Sequence, residues 1–235
     1  MIRNIFANHG ITITEEQEKK LNQYYDLLID WNNKINLTSI VEYEEVIWKH
    51  FLDSAFFVSC DKVDLKEKKK VLDLGTGAGF PGMVLAILCP DYEFVLADSL
   101  NKRIEFLKVV INRLQIHNVS VIHGRAEELG RDENFRNQFD YVVSRAVAEL
   151  PVLLEYCIPF VKKGGYFVSY KSRRLDEEIE NAENALNMLY TKYEKKYKYE
   201  LEYDNSERYL VFFRCENITD SKYPRKPKKI KTNPL

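Results

Sequence analysis

The 235-residue chain has only four cysteines, Cys60, Cys89, Cys157 and Cys215, and no two of them form a C-x-x-C pair. Such scatter excludes a disulfide framework and a thiolate metal cluster, so no metal is expected, and each cysteine reads as a small core residue in a reducing compartment. No apolar run approaches the ~20 residues that span a bilayer. The opening Met-Ile-Arg-Asn-Ile-Phe-Ala-Asn-His-Gly carries no apolar signal segment, so the expected location is cytoplasmic, without membrane contact. Neither sign of charge dominates: 35 Lys and Arg against 36 Asp and Glu leave a formal net charge of −1, and global charge gives no argument for nucleic acid. Glycine is scarce as well, with nine in the chain, yet Gly75, Gly77 and Gly79 stand at alternate positions.

Those glycines lie in Val71-Leu-Asp-Leu-Gly-Thr-Gly-Ala-Gly-Phe-Pro-Gly82, which reads as a strand, a tight turn stripped of side chains, and the start of an apolar helix, Met83–Leu88. Pro81 suits the first helical turn, where its missing N–H costs nothing. The turn has neither the G-x-G-x-x-G of a dinucleotide site nor the G-x-x-x-x-G-K-[ST] of a P-loop, so a phosphate is a poor fit. Asp73, two residues before the first glycine, suits a cationic ligand. A second strand, 93–97, ends at Asp98, where a carboxylate can accept from both hydroxyls of a ribose. Asp-x-Gly-x-Gly-x-Gly with a second-strand acid resembles the S-adenosylmethionine site of Rossmann-like methyltransferases, whose ligand has a sulfonium and no phosphate. A nicotinamide site and a turn that holds nothing are the competing readings.

Around this stretch, Thr14-Glu-Glu-Gln17 is a capping box, and Leu21, Tyr24, Leu28, Trp31 and Ile35 then form one apolar helical face. Ser39-x-x-Glu42 predicts a second helix to about Val58, and 61–70 reads as a linker. The rhythm then becomes strand and helix: 71–74, 94–97, 119–123, 139–144 and 166–170 are strand-like, with a helix over 103–114 and a charged one over 175–189. Such alternation predicts a mainly parallel, doubly wound α/β sheet. Tyr197, Tyr199, Leu201 and Tyr203 alternate with charged residues and 208–215 is again strand-like, so the seven-stranded sheet should close on an antiparallel hairpin. The tyrosine row suits edge-strand packing better than stacking on RNA bases. Three units are expected: an N-terminal helical extension (1–66), a Rossmann-like domain (67–216) and a basic tail (217–235), whose Lys222, Arg225, Lys226, Lys228, Lys229 and Lys231 have no acid among them.

Three patches fall with the glycine turn at carboxyl ends of parallel strands: Asp98, then Gly124-Arg-Ala126-Glu127, then Ser144-Arg145-Ala-Val-Ala148. Ala126 and Glu127 are placed to face an adenine. The last patch limits the reaction. Enzymes that methylate exocyclic amines have Asn/Asp-Pro-Pro-aromatic there, and cytosine-C5 enzymes need a Pro-Cys nucleophile; this chain has Ser-Arg-Ala. No His/Glu pair is placed as a general base. An acceptor with a free lone pair fits best, and guanine N7 is one, so catalysis reduces to alignment. Arg145 is the candidate to orient it, or to hold cofactor or RNA backbone; a structural salt bridge is the plain alternative.

With these pieces in place the chain closely resembles, over nearly its whole length, the RsmG (GidB) family of bacterial 16S rRNA guanine-N7 methyltransferases. The resemblance rests on Tyr25–Thr38 (YDLLIDWNNKINLT), His50-Phe-Leu-Asp53-Ser54, Asp73–Gly82, Asp98-Ser99 with Lys102-Arg103, Arg125-Ala-Glu127, Phe139–Ala148, Tyr170-Lys171 and Tyr223-Pro-Arg225. It implies a class I S-adenosylmethionine-dependent fold with the antiparallel terminal hairpin, and methyl transfer to N7 of a guanine, guanine 527 of 16S rRNA. It implies cofactor contacts at Gly75, Gly77, Phe80, Asp98, Ala126, Glu127 and Arg145, and RNA contacts at Lys102, Arg103, Lys171, Arg208 and Arg225. His50 and Asp53, three apart on one helical face, suit a helix–sheet docking pair. The chain departs from the family at Lys226-Pro-Lys-Lys-Ile230, where Gly-Thr-Pro is usual. The implied partner is the small ribosomal subunit, met by a monomer; a small-molecule or protein methyltransferase and a non-catalytic ribosome-associated binder are the alternatives.

Overall fold

The computed structural model describes residues 1–145, 148–172 and 175–235; Ala146 and Val147 of the Ser144–Ala148 patch lie outside them. Helices α1 (Ile2–Asn8) and α2 (Glu15–Ile35) open the chain. The Gln17 amide N–H donates to Thr14 Oγ1 at 3.1 Å while Gln17 Oε1 accepts from the Thr14 amide at 2.8 Å, completing the capping box. The same side chain donates through Nε2 to the carbonyls of Ile87 and Leu88 at 3.0 and 3.2 Å, which anchors the start of α2 on the sheet's first helix. The next helical stretch starts later than expected. Thr38 Oγ1 accepts from the Ile40 amide, so a turn at Thr38 replaces the Ser39 cap. Helix α3 (Tyr43–Val46) widens into a π-helical stretch, Ile47–Leu52, followed by α4 (Asp53–Ala55) and a 3-10 turn, Phe56–Ser59.

The sheet has seven strands in the order β3-β2-β1-β4-β5-β7-β6. They are β1 (Lys70–Leu74), β2 (Glu93–Asp98), β3 (Val119–His123), β4 (Phe139–Arg145), β5 (Val161–Lys171), β6 (Thr191–Leu201) and β7 (Ser206–Cys215). The first five strands pair in parallel, and β7 inserts antiparallel between β5 and β6. Asp73 registers with Leu96 on one side and Val143 on the other, so the strand order reverses at β1, the switch point where such sheets hold ligands. The remaining helices are α5 (Gly82–Leu88), α6 (Asn101–Leu114), α7 (Ala126–Leu129), α8 (Leu150–Cys157), α9 (Leu175–Asn181), α10 (Glu183–Met188) and α11 (Pro227–Thr232). The helix expected over 175–189 is thus two, broken at the fully buried Ala182. Strand β5 begins five residues before Tyr166, with Gly164 at φ +82° in its irregular first half.

Two apolar layers cover the sheet. One joins Phe6, Tyr24, Leu28, Phe51 and Phe57 to Val84, Phe94 and Phe106, so the N-terminal helices share a core with α5 and α6. The other joins Leu72, Val142, Leu153, Phe167 and Phe213 to Tyr223 and Ile230 of the C-terminal segment. That segment, the basic tail of the sequence, is docked on the body of the fold. Arg136 donates to the carbonyls of Thr219, Asp220 and Tyr223, and Arg131 to that of Pro224. The tyrosine row packs: Tyr197 meets Phe212 edge-on, and Tyr199 stacks on Phe56 with centroids 3.9 Å apart. Tyr203 falls in the turn beyond β6.

Candidate active site

The glycine turn is held from three sides. The amides of Gly75 and Thr76 both donate to the Ala97 carbonyl, at 2.9 and 3.1 Å, tying it to the end of β2. From α2, the Tyr24 hydroxyl donates to the Ala78 carbonyl, and the ring lies among Phe51, Phe80 and Phe106. Any Cβ at Gly79, whose φ is +100°, would stand 2.3 Å from that hydroxyl. From below, Asp73 Oδ2 accepts from Thr76 Oγ1 at 2.6 Å and from the Gly82 amide at 2.8 Å. Asp73 therefore does not face a cationic ligand as its place in the motif suggested. It is fully buried and clamps the turn; Oδ1 has no partner among the described residues, and desolvation pushes the carboxyl up to about 6 against its hydrogen bonds. At Gly77, whose φ is +61°, a Cβ would have no described atom within 4 Å, and the position opens onto the cleft.

The cleft, about 1090 Å³, runs along the carboxyl edge of the sheet. It brings together Gly75, Gly77, Phe80, Asp98, Ala126, Glu127 and Arg145 from the expected cofactor set. Asp98 Oδ2 accepts from the Gly77 amide at 2.9 Å and Oδ1 from the Leu100 amide at 2.9 Å, which aims a buried carboxylate at the turn. Leu153 and Tyr156 of α8 add an apolar wall. Sequence reasoning missed both, because a helical apolar face does not announce which of its members borders a cavity.

The five basic residues expected to meet RNA separate. Arg208 lines the mouth of the cleft. Lys102 is exposed on α6 outside it. Lys171 also lines the cleft but donates to Glu178 at 2.5 Å. Arg103 folds back onto Asp98 Oδ2 at 3.1 Å, so it stands at the expected ribose position rather than out toward a large ligand. Arg225 corrects the expectation outright. Its side chain is 13% exposed, and Nε and Nη2 close onto the fully buried Glu155, so the guanidinium is committed to an ion pair within the fold.

Arg145 joins the two halves of the site. Its Nη1 donates to Asp53 Oδ2 at 2.6 Å and to the Lys49 carbonyl at 3.1 Å, Nη2 lies 3.3 Å from His50 Nδ1, and the guanidinium sits 5.3 Å from the Phe80 centroid. His50 stacks on Phe80 at 4.4 Å, and its Nε2 lies 3.0 Å from Thr38 Oγ1. His50 and Asp53 thus both meet Arg145 instead of pairing with each other. Burial and the adjacent guanidinium lower the His50 pKa to about 3, so the ring is neutral and a weak base. The arrangement can seat and align a ligand, and His50 is a poor proton acceptor within it.

Open space at Gly77, a carboxylate at Asp98 and an apolar wall fit S-adenosylmethionine. The comparisons agree. A family model described as GidB, rRNA small subunit methyltransferase G, matches residues 17–205. A ribosomal RNA small subunit methyltransferase G of Lachnoclostridium phytofermentans is 50% identical over 216 residues, 92% of this chain and 88% of its own length. One from Clostridium novyi is 45% identical over 235 residues, 100% of this chain and 96% of its own. Among solved structures, a SAM-dependent methyltransferase from Aquifex aeolicus superposes with a TM-score of 0.53 at 18% identity, covering 73% of this chain and 93% of that one. Aeropyrum pernix fibrillarin, crystallised with natively bound S-adenosyl-L-methionine, gives 0.51 at 16% identity over 69% and 73% of the two chains; at such identities the likeness is one of fold. The chain belongs to the GidB family, the rRNA small subunit methyltransferase G proteins.

Proposed function

We propose that this protein is an S-adenosylmethionine-dependent methyltransferase that modifies N7 of a guanine in 16S rRNA. The observation that supports the reading is a cleft open at Gly77 and lined by Asp98, in which the one shifted imidazole, His50, is held neutral with its pKa lowered to about 3. Family membership supports the rRNA substrate. When bound, the cofactor supplies an electrophilic methyl group. Gly75, Gly77 and Phe80 would border its amino-acid and sulfonium portion, Asp98 its ribose, and Ala126 and Glu127 its adenine. Each Asp98 oxygen has two acceptor sites, one of which the Gly77 or Leu100 amide takes. For Asp98 to meet the ribose, Arg103 must move from Oδ2.

Arg145 can place a guanine through donors aimed at O6, which leaves the N7 lone pair free. No group need accept a proton, since N7 is unprotonated at neutral pH. Alignment at ~3–3.5 Å supplies most of the acceleration. Arg208 and Lys231, at the mouth, suit the phosphates of the approaching strand. We further propose that the enzyme acts as a cytoplasmic monomer on the assembled small subunit; no helix among the described residues is long and apolar enough to cross a membrane.

The test uses small subunits from cells lacking the gene. Incubation with the protein and labelled cofactor should place label in 16S rRNA, and borohydride–aniline treatment should then cleave at one guanine. Label that survives ribonuclease would identify a protein or small-molecule acceptor instead; cofactor binding without any transfer would identify a non-catalytic binder.

A further inference from the structure

Positive charge in the cleft follows a pattern. Most of its cations have a carboxylate: Arg103 has Asp98 at 3.1 Å, Lys171 has Glu178 at 2.5 Å, Lys49 has Glu45 at 2.8 Å and Asp204 at 3.1 Å, Arg145 has Asp53 at 2.6 Å, and Arg125 has Glu127 at 4.0 Å. Arg208 and Lys231, also lining it, make no ion pair among the described residues. The Arg145 pair is the most enclosed of those around Phe80, with side chains 15% and 6% exposed. Asp53 is also fixed from its far side, where Tyr199 of β6 donates to Oδ1 at 2.8 Å. The π-helical stretch Ile47–Leu52 and the Asp53 that follows it present the Lys49 carbonyl, His50 and Asp53 to one guanidinium.

The chemistry explains why such neutralisation matters. The N7 lone pair forms the bond to the methyl carbon, and the carbon–sulfur bond breaks with its electron pair going to sulfur. The sulfonium becomes a neutral thioether and the guanine ring takes the positive charge. One unit of positive charge is therefore present from start to finish, beside a guanidinium that is always protonated. In a partly desolvated cleft an uncompensated Arg145 would repel it at every stage.

We infer that Asp53 is the counter-charge of the reacting centre: through Arg145 it lets the cleft hold a cationic donor and a cationic product. This rests on the methyltransferase reading. Asp53 acts through Arg145, whose Nη1 it holds at 2.6 Å, so it is a positioning residue whose effect is carried by charge.

The experiment compares the full-length protein's affinity for S-adenosylmethionine and for S-adenosylhomocysteine by calorimetry, two ligands that differ by the methyl group and its charge. Asp53→Asn is expected to weaken the cationic ligand ~10-fold and the neutral one less than ~2-fold. Asp53→Glu, which keeps the charge, and Tyr199→Phe, which keeps the carboxylate, should preserve the wild-type ratio within ~2-fold. An equal loss for both ligands in Asp53→Asn, or no loss for either, overturns the proposal. Should circular dichroism show that variant unfolded, the double variant Asp53→Asn/Arg145→Gln, which leaves no unpaired charge, carries the test. It should bind both ligands in the wild-type ratio, and a selective loss of the cationic ligand there overturns the proposal. Wild-type protein that binds neither ligand sinks the methyltransferase reading itself, a result separable from any change in ratio.

Discussion

Arg225 and Glu155 form a buried, two-pronged ion pair, with Nη2 to Oε2 at 2.6 Å and Nε to Oε1 at 2.8 Å. The Arg225 amide donates to the same Oε1 at 2.7 Å, so backbone and side chain close on one carboxylate. Glu155 lies on α8 beside Tyr156, which lines the cleft, and Arg225 leads into α11, which places Pro227 and Lys231 at its mouth. One pair therefore fixes the C-terminal segment against the wall of the site.

Arg225→Ala should strand a fully buried carboxylate. Breaking such a pair from one side costs ~3–5 kcal/mol, which corresponds to a fall of ~10 °C in Tm for a chain of this size. Calorimetric melting measures it. The segment after Cys215 should also become sensitive to protease, and a variant that melts with the wild type would show the pair to be incidental.

Docking turns Lys226, which caps α11, and the lysines of that helix into a fixed array. Lys226, Lys228 and Lys229 are exposed and have no ion pair among the described residues, whereas Ile230 is fully buried beneath them. Replacing these three by Gln should reduce the slope of log affinity for rRNA against log salt by ~2, because fewer counterions are released. Cofactor affinity should not change. A filter-binding series from low to moderate salt that returns the wild-type slope would place the RNA elsewhere.

What was readable beforehand and what was not divides along physical lines. The glycine turn, Asp98 and Arg145 were legible because strand ends and turn spacing are local properties, and topology brings all such ends to one edge. The side to which Asp73 points was not, since it depends on Gly82 packing over it. Arg225 read as an RNA ligand because its partner is 70 residues away. Arg103 read likewise, though its acceptor is only five residues earlier; nothing in composition tells a cation that folds back from one that reaches out. The π-helical stretch at Ile47–Leu52 was invisible because six residues of apolar periodicity do not separate i→i+4 from i→i+5 bonding. The break at Ala182 was hidden in the same way, with apolar residues recurring across it.

Two glycines of the loop should fail differently when made alanine. At Gly82 a Cβ would lie 2.1 Å from Leu96 Cδ2 and 2.7 Å from the Asp73 Cβ, so overpacking should cost ~1–3 kcal/mol or more. At Gly77 it meets nothing, and only the left-handed φ is penalised, at ~1–2 kcal/mol. Gly77→Ala should therefore stay folded yet lose cofactor affinity ~10-fold, about 1.4 kcal/mol, because its methyl group stands in the cleft. Denaturation and calorimetry on the pair separate the effects. Wild-type cofactor binding by Gly77→Ala would remove that glycine from the ligand site.

The stability–pH profile should contain two opposed contributions. The Asp73 carboxyl, raised from 3.8 to about 6 by burial, holds its proton more tightly folded than unfolded, so its contribution is fully present below pH 3.8 and is lost as pH rises through 6. His50, lowered from 6.5 to about 3 by burial and Arg145, does the reverse: the neutral ring's contribution is intact above pH 6.5 and is lost as pH falls toward 3. The windows overlap, so wild-type protein should change little between about pH 4 and 6 on their account. Asp73→Asn should unmask the histidine and lose stability on acidification. His50→Asn should unmask the carboxylate and gain it. Each slope is worth up to ~3 kcal/mol between about pH 4 and 6. Urea unfolding at several pH values decides the matter, and profiles that run parallel to the wild type in both variants would mean that neither group is held away from its ordinary ionisation.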